Sequence, residues 1–266
     1  MKHLHTVILS IIAIFIVGFF LFPHSTNDAN KETLPPVVED TLASMEDVTI
    51  TPIQHASVLF EWANNVIYVD PAEGEYDGLP IATMVLITDI HGDHFNLDTL
   101  KKVIDGNTFL IVPKVVAEQI PESVTTKVLI LANGQTIEPN GFKIEAVPMY
   151  NVPESEDAYH VKGRGNGYVI EHDDLRVYVA GDTGPTKEMR EMKNIDIAFV
   201  PMNLPYTMTI EEAASAVLDF TPRRVYPYHY RSAEGLSDVR AFAQLIEQGS
   251  PYIEVVQEQW YPEFSL

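Results

Sequence analysis

The segment Met84-Val85-Leu86-Ile87 is an unbroken apolar run, and it passes directly into Thr88-Asp89-Ile90-His91-Gly92-Asp93-His94, where four metal-ligating side chains fall within six residues. A short apolar run that ends in a polar, glycine-containing turn reads as a buried strand, which places the polar cluster at a strand end. Asp89, His91 and Asp93 stand at i, i+2 and i+4, so an extended or turning backbone brings them to one side, and Gly92 leaves the chain free to turn His94 toward them. Helical periodicity would scatter the same four groups. A strand that delivers two imidazoles and two carboxylates into one loop points to a metal site rather than a solvated turn.

The chain contains no cysteine. Thiolate sites are therefore excluded, and a set of imidazole and carboxylate donors suits zinc first, with manganese or iron as competitors. The same count excludes disulfides and a cysteine nucleophile. The formal net charge of -21 argues against a nucleic-acid partner, because phosphate binding needs clustered Lys and Arg.

The cluster resembles the His-x-His-x-Asp-His signature of the metallo-β-lactamase superfamily, with Asp89 standing where the first His is usual. The resemblance continues in Gly181-Asp182-Thr183 and Pro227-Tyr228-His229 and runs from about Val48 to Val256. The opening His55-Ala56-Ser57 followed by Val69-Asp70-Pro71 looks most like the branch that contains L-ascorbate-6-phosphate lactonase. It implies an α+β fold, a four-layer αββα sandwich with metals at one edge between the sheets. Composition and periodicity alone give only a mixed α and β domain.

The resemblance also implies a ligand set. One metal would be held by Asp93, His94, Asp182 and His229, and another by Asp89, His91, the shared Asp182 and a third His. Met149-Tyr150-Asn151 stands where that third His is expected, so Asn151 would supply oxygen there, or His160 would replace the missing imidazole. One or two divalent ions are therefore expected, with a single ion in the Asp93 group as the simpler case. Asp93 and Asp182 are the candidate catalytic groups. His55 is expected to face substrate, and Asp70 to orient a ligand His. Lys162, Arg164 and Arg231 stand out in an acidic chain as candidates to bind a small-molecule substrate carrying a carboxylate or phosphate.

The rest of the chain divides into three parts. Residues 1–23 contain the apolar run Thr6 to Phe22 behind Lys2, read as a membrane anchor or signal segment that places the protein outside the cytoplasm. Residues 24–47, interrupted by Pro35-Pro36, read as a tether, and residues 48–266 as the hydrolase domain. Within that domain, Asn64-Asn65 is expected to turn a hairpin and Asp173-Asp174 another. Asn96, Thr209 and Ser237 are expected to cap helices.

The preferred activity is hydrolysis of an ester, lactone, amide or phosphodiester by a water that a metal ion activates. The membrane segment makes a lipid-directed phosphodiesterase the nearest alternative. A surface protein that binds a metal or ligand without turnover, or a di-iron redox enzyme, belongs to other classes.

Overall fold

The computed structural model describes residues 44–124 and 127–262. The chain divides into a unit over Met1–Asp40, outside the described residues, and a unit over Thr41–Leu266. The expected anchor at 6–22 and most of the expected tether at 24–47 fall in the segment that is not described. Among the described residues no helix is long and apolar enough to cross a membrane. Only residues 44–47 of the expected tether are described. Ser44 caps a short 3-10 turn over Met45–Asp47, and Glu46 pairs with Arg224 at 3.0 Å.

The first sheet is built from β1 (Val48–Gln54), β2 (Ser57–Trp62), β3 (Asn65–Val69), β4 (Met84–Leu86), β5 (Phe109–Val112) and β6 (Val128–Ile130), in that spatial order. Helices α1 (Leu97–Val103) and α2 (Lys114–Ala117) lie in the connections after β4 and β5. The second sheet contains β7 (Thr136–Ile137), β8 (Lys143–Met149), β9 (Gly165–His172), β10 (Leu175–Val179), β11 (Ile197–Pro201) and β12 (Arg224–Tyr228). The chain continues through α3 (Lys187–Arg190) and α4 (Ile210–Phe220), a small hairpin of β13 (Arg231–Ser232) and β14 (Gly235–Leu236), and α5 (Val239–Gly249). The last strand, β15 (Glu254–Val255), pairs with β12 at the far edge of the second sheet.

Period-two alternation assigns the faces of the first sheet. Val58, Phe60 and Trp62 point into a core shared with Ile144, Tyr168, Ile170 and Phe199 of the second sheet, and the Phe60 and Phe199 rings lie 5.3 Å apart. Leu59, Tyr68, Val85 and Leu110 face the other way, onto Leu100 and Val103 of α1 and Val116 of α2. The outer helix α4 closes the opposite side, with Phe220 edge-on to Tyr178. Helix, sheet, sheet and helix layers give the expected α+β sandwich.

Antiparallel pairing joins β1 to β3 and β7 to β10, whereas β3 to β6 and β10, β11, β12 and β15 pair in parallel. Parallel pairs need long crossovers, so the parallel strands β4 and β12 both end at the same edge and release loops there. Two turns differ in detail from expectation. The hairpin between β2 and β3 turns at Ala63 and Asn64, with φ of 46° and 58°, and Asn65 already pairs with Trp62. Helix α5 is capped by Asp238, whose carboxylate accepts from the Arg240 and Ala241 amides, rather than by Ser237. Asn96 and Thr209 cap α1 and α4 as expected, Thr209 with a reciprocal bond to Glu212.

Candidate metal centre

Asp70 is the fixed point of the site. It is fully buried at the end of β3 with φ of 48°, and one carboxylate oxygen accepts the Thr88 amide at 2.7 Å while the other accepts the Thr88 hydroxyl at 2.6 Å. That second oxygen also lies 2.8 Å from His94 Nδ1. A carboxylate accepts only, so His94 carries its proton on Nδ1 and turns its Nε2 lone pair toward the other ligands. The expected role of Asp70 as an orienting group matches this placement.

The ligand loop leaves β4 at Ile87, and the His94 and Phe95 amides both donate to the His91 carbonyl, which closes the turn. Asp182 arrives from the end of β10 after Gly181, and His229 from the end of β12, with φ of 49° and its amide donating to the His55 carbonyl at 3.2 Å. Around Asp182 the imidazole nitrogens crowd closely. His94 Nε2 lies 3.3 Å from Oδ2, His229 Nε2 3.2 Å from Oδ1, and His160 Nε2 3.1 Å from Oδ2. Asp93 Oδ2 lies 3.5 Å from His229 Nε2, and the two imidazole Nε2 atoms of His94 and His229 are 3.2 Å apart.

These spacings fit a bound cation. Donors at about 2.0–2.1 Å around a tetrahedral ion are separated by roughly 3.3–3.5 Å, and close approach of lone pairs without a cation is repulsive. Asp182 Oδ1 and His160 Nε2 are also buried without any hydrogen-bond partner, an arrangement that is costly unless an ion takes them up. Two groups of donors have the spacing to hold metal, one of Asp93, His94, Asp182 and His229 and the other of Asp89, His91 and His160.

His160 reaches the site from the loop after β8. Its amide donates to Asn151 Oδ1 at 2.8 Å, and the Asn151 amide group donates to the Tyr206 carbonyl. His160 Nδ1 lies 3.2 Å from the same carbonyl, which sets the Nδ1 proton and turns Nε2 inward. Asn151 therefore braces His160, and both polar atoms of its side chain are engaged away from the donor groups.

Electrostatics follow from this crowding. Burial opposes ionisation of Asp182, and His229 and His94 outweigh it, so its carboxyl is held well below the usual range. The same balance, with His229 and His55 as the opposing partners, lowers Asp93. Burial also opposes charge on His94, but Asp182 and Asp70 on either side raise its affinity for a positive charge. His55 goes the other way: burial, reinforced by His229, lowers it to about 4. Its Nδ1 meets the Tyr261 hydroxyl at 2.6 Å, and its Nε2 lies 3.3 Å from Asp93 Oδ2.

A cavity of about 400 Å³ opens over the centre, lined among others by His55, Asp93, His160, Asp182, Tyr206 and Arg231. The three expected substrate cations are each engaged. Arg231 reaches both carboxylate oxygens of Glu73 at 3.0 and 3.2 Å. Lys162 sits between Glu154 and Glu188, each at 3.1 Å, and Arg164 forks onto Asp89. Sequence reasoning missed Glu73 and Tyr261, which reach the site from a loop and from the far end of the chain. It also missed Tyr159 and Asn203 on the cavity wall.

The model of the "Beta-lactamase superfamily domain" matches residues 49–229. Among curated proteins, a metal-dependent hydrolase of Thermococcus onnurineus is 32% identical over 62% of this chain and 75% of its own length. Another, from Pyrococcus horikoshii, is 28% identical over 75% of this chain and 92% of its own. Among solved structures, a candidate metal-dependent hydrolase from Parabacteroides distasonis superposes with a TM-score of 0.73 and 37% identity, covering 80% of this chain and 94% of that one. A metallo hydrolase from Ignicoccus hospitalis shares the fold, with a TM-score of 0.67 at 23% identity over 79% of this chain and 94% of its own. The expected membrane-anchored, extracytoplasmic placement is corrected accordingly. The curated relatives are named as metal-dependent hydrolases, and among the described residues no helix is long and apolar enough to cross a membrane; the apolar run at 6–22 lies outside those residues.

Proposed function

The chain belongs to the β-lactamase superfamily domain family and is a metal-dependent hydrolase, and from there we propose that its substrate is an uncharged ester, lactone or amide. The observation that carries this reading is the pairing of every expected substrate cation with a carboxylate: Arg231 with Glu73, Lys162 with Glu154 and Glu188, Arg164 with Asp89. An anionic phosphodiester would enter a cavity whose one lining Arg is already neutralised, in a chain of net charge -21. The same pairing disfavours the phosphodiester class as a whole, the lipid-directed phosphodiesterase expected as an alternative included.

Asp93, His94, Asp182 and His229 would hold a divalent ion, which would supply Lewis acidity to polarise a carbonyl and lower the pKa of water toward neutrality. The chain's own residues do the rest. Asp70 fixes the His94 tautomer, and Asp182 gathers three imidazoles around one carboxylate. Asp93 is partly exposed to the cavity, so its carboxylate is placed to accept a hydrogen bond from the attacking water and orient it. His55, fixed by Tyr261, orients Asp93 through its Nε2. Tyr159 and Tyr206 pack edge to face with centroids 5.0 Å apart and offer an aromatic wall for an apolar substrate.

The test is a substrate panel run on protein stripped of metal and then reloaded. Reloaded protein is expected to cleave neutral esters or lactones at least tenfold faster, in kcat/KM, than phosphodiesters of similar size, and stripped protein to cleave neither. A preference for phosphodiesters would overturn the substrate assignment, and hydrolysis unaffected by stripping would overturn the metal dependence.

A further inference from the structure

We propose that Arg164 makes the metal centre unequal, so that the Asp93, His94, Asp182 and His229 group holds its ion tightly and the Asp89, His91 and His160 group takes a second ion only weakly. This inference rests on the reading of the centre as a metal site and deepens it.

The guanidinium of Arg164 is built into the second group. Its Nε donates to Asp89 Oδ1 at 3.1 Å and its Nη2 to Asp89 Oδ2 at 2.8 Å, so both carboxylate oxygens are engaged in one planar fork. The same Nη2 lies 3.4 Å from His91 Nε2. Asp89 is fully buried, and its carboxylate is flanked by the Arg164 fork and by His91 Nδ1 at 2.9 Å from Oδ2. Backbone packing fixes the arrangement. The residue after Arg164 is Gly165, where a Cβ would come within 2.7 Å of the Thr88 carbonyl, and the Asn166 amide donates to that carbonyl at 2.9 Å. Arg164 is thus held against the ligand loop by the start of β9.

Charge decides the consequence. The Asp93 group contributes two carboxylates and two imidazoles, which balance a divalent ion. The Asp89 group contributes one carboxylate and two imidazoles, and its carboxylate is already balanced by a guanidinium that stays charged at any pH a folded protein meets. The Asp182 carboxylate, shared between the groups, is drawn on by the first ion. A second divalent ion would therefore add uncompensated charge beside Arg164 in a buried setting, where repulsion is poorly screened. The donors are nevertheless still aimed. His160 Nε2 is buried without a hydrogen-bond partner, 3.1 Å from Asp182 Oδ2 and 3.9 Å from Asp89 Oδ2. Weak occupancy, set by the concentration of free metal, is the outcome that satisfies both observations.

The experiment is a zinc titration of the metal-free full chain, followed by competition with a chromophoric chelator and by metal content after dialysis. In the wild type the second binding step is expected to be at least a hundredfold weaker than the first, or absent. Arg164→Met is expected to strengthen the second step at least tenfold and leave the first unchanged, whereas Arg164→Lys, which keeps the charge, leaves the second step weak. Two steps of equal affinity in the wild type would overturn the inference while leaving the metal site standing. A weaker or unaltered second step in Arg164→Met would overturn it too, because Arg164 would then serve only to hold Asp89 in place. If Arg164→Met fails to fold, the ratio of the two wild-type steps decides. A wild type that binds no zinc would overturn the proposed function and this inference together.

Discussion

Asp182→Ala is expected to lose the tightly bound metal and to lower hydrolysis on the order of 10³-fold, since the ion's contribution to the transition state is several kcal/mol and each 1.36 kcal/mol is tenfold. Asp182 is the residue on which the imidazoles of His94, His160 and His229 converge at 3.1 to 3.3 Å. Its removal takes a negative charge from the centre of that group and leaves three nitrogen lone pairs without the anion that balances a bound cation. Metal content by mass spectrometry and initial rates on the best neutral substrate give the readout. His172→Ala is the control. His172 stands at the end of β9, packed against Phe142 and Trp62 away from the centre, and its loss should leave metal content unchanged. Retention of one metal per chain in Asp182→Ala would remove Asp182 from the ligand set.

Asp70→Ala is expected to weaken metal binding roughly 10- to 100-fold although Asp70 faces away from the bound ion. It should also destabilise the fold by about 3–5 kcal/mol, the usual cost of leaving the partner of a buried charged group unpaired. Three donors lose their acceptor at once: the Thr88 amide, the Thr88 hydroxyl and His94 Nδ1. Asp70→Asn separates the two effects. Its amide fills the same space, but one of its ends must present hydrogens to a group that is itself a donor, either Thr88 or His94. Denaturant midpoints should recover partly in Asp70→Asn while metal affinity stays low. Full metal affinity in Asp70→Asn would show that the His94 tautomer is not set from Asp70.

The donor cluster was legible in the sequence because its chemistry is local. One strand and one turn place Asp89, His91, Asp93 and His94, and the unbroken apolar run Met84 to Ile87 before them marks the strand as buried. The layered sandwich was legible only through family resemblance, since short apolar runs carry no record of whether strands pair in parallel or antiparallel. Charge partners were the least legible part. Lys162 and Arg164 are two residues apart and carried the same expectation, yet the turn between them at Gly163, with φ of 84°, sends one to Glu154 and Glu188 and the other to Asp89, 75 residues away. Asn151 read as an oxygen donor for the site because it stands where an imidazole is usual. The loop after it folds back, however, and its side chain is used to aim His160. Such pairings are decided by which loops share an edge of the sandwich, and that edge exists only after the two sheets have packed.

The central claim is that Asp93, His94, Asp182 and His229 together hold the divalent ion on which hydrolysis depends. A crystal structure of the zinc-loaded protein, with anomalous scattering recorded on both sides of the zinc edge, tests it most directly. The account predicts a strong anomalous peak in contact with His94 Nε2, His229 Nε2 and the Asp93 and Asp182 carboxylates, and a weaker peak or none beside Asp89 and Arg164. A dominant peak beside Asp89, or none within reach of Asp182, would contradict it.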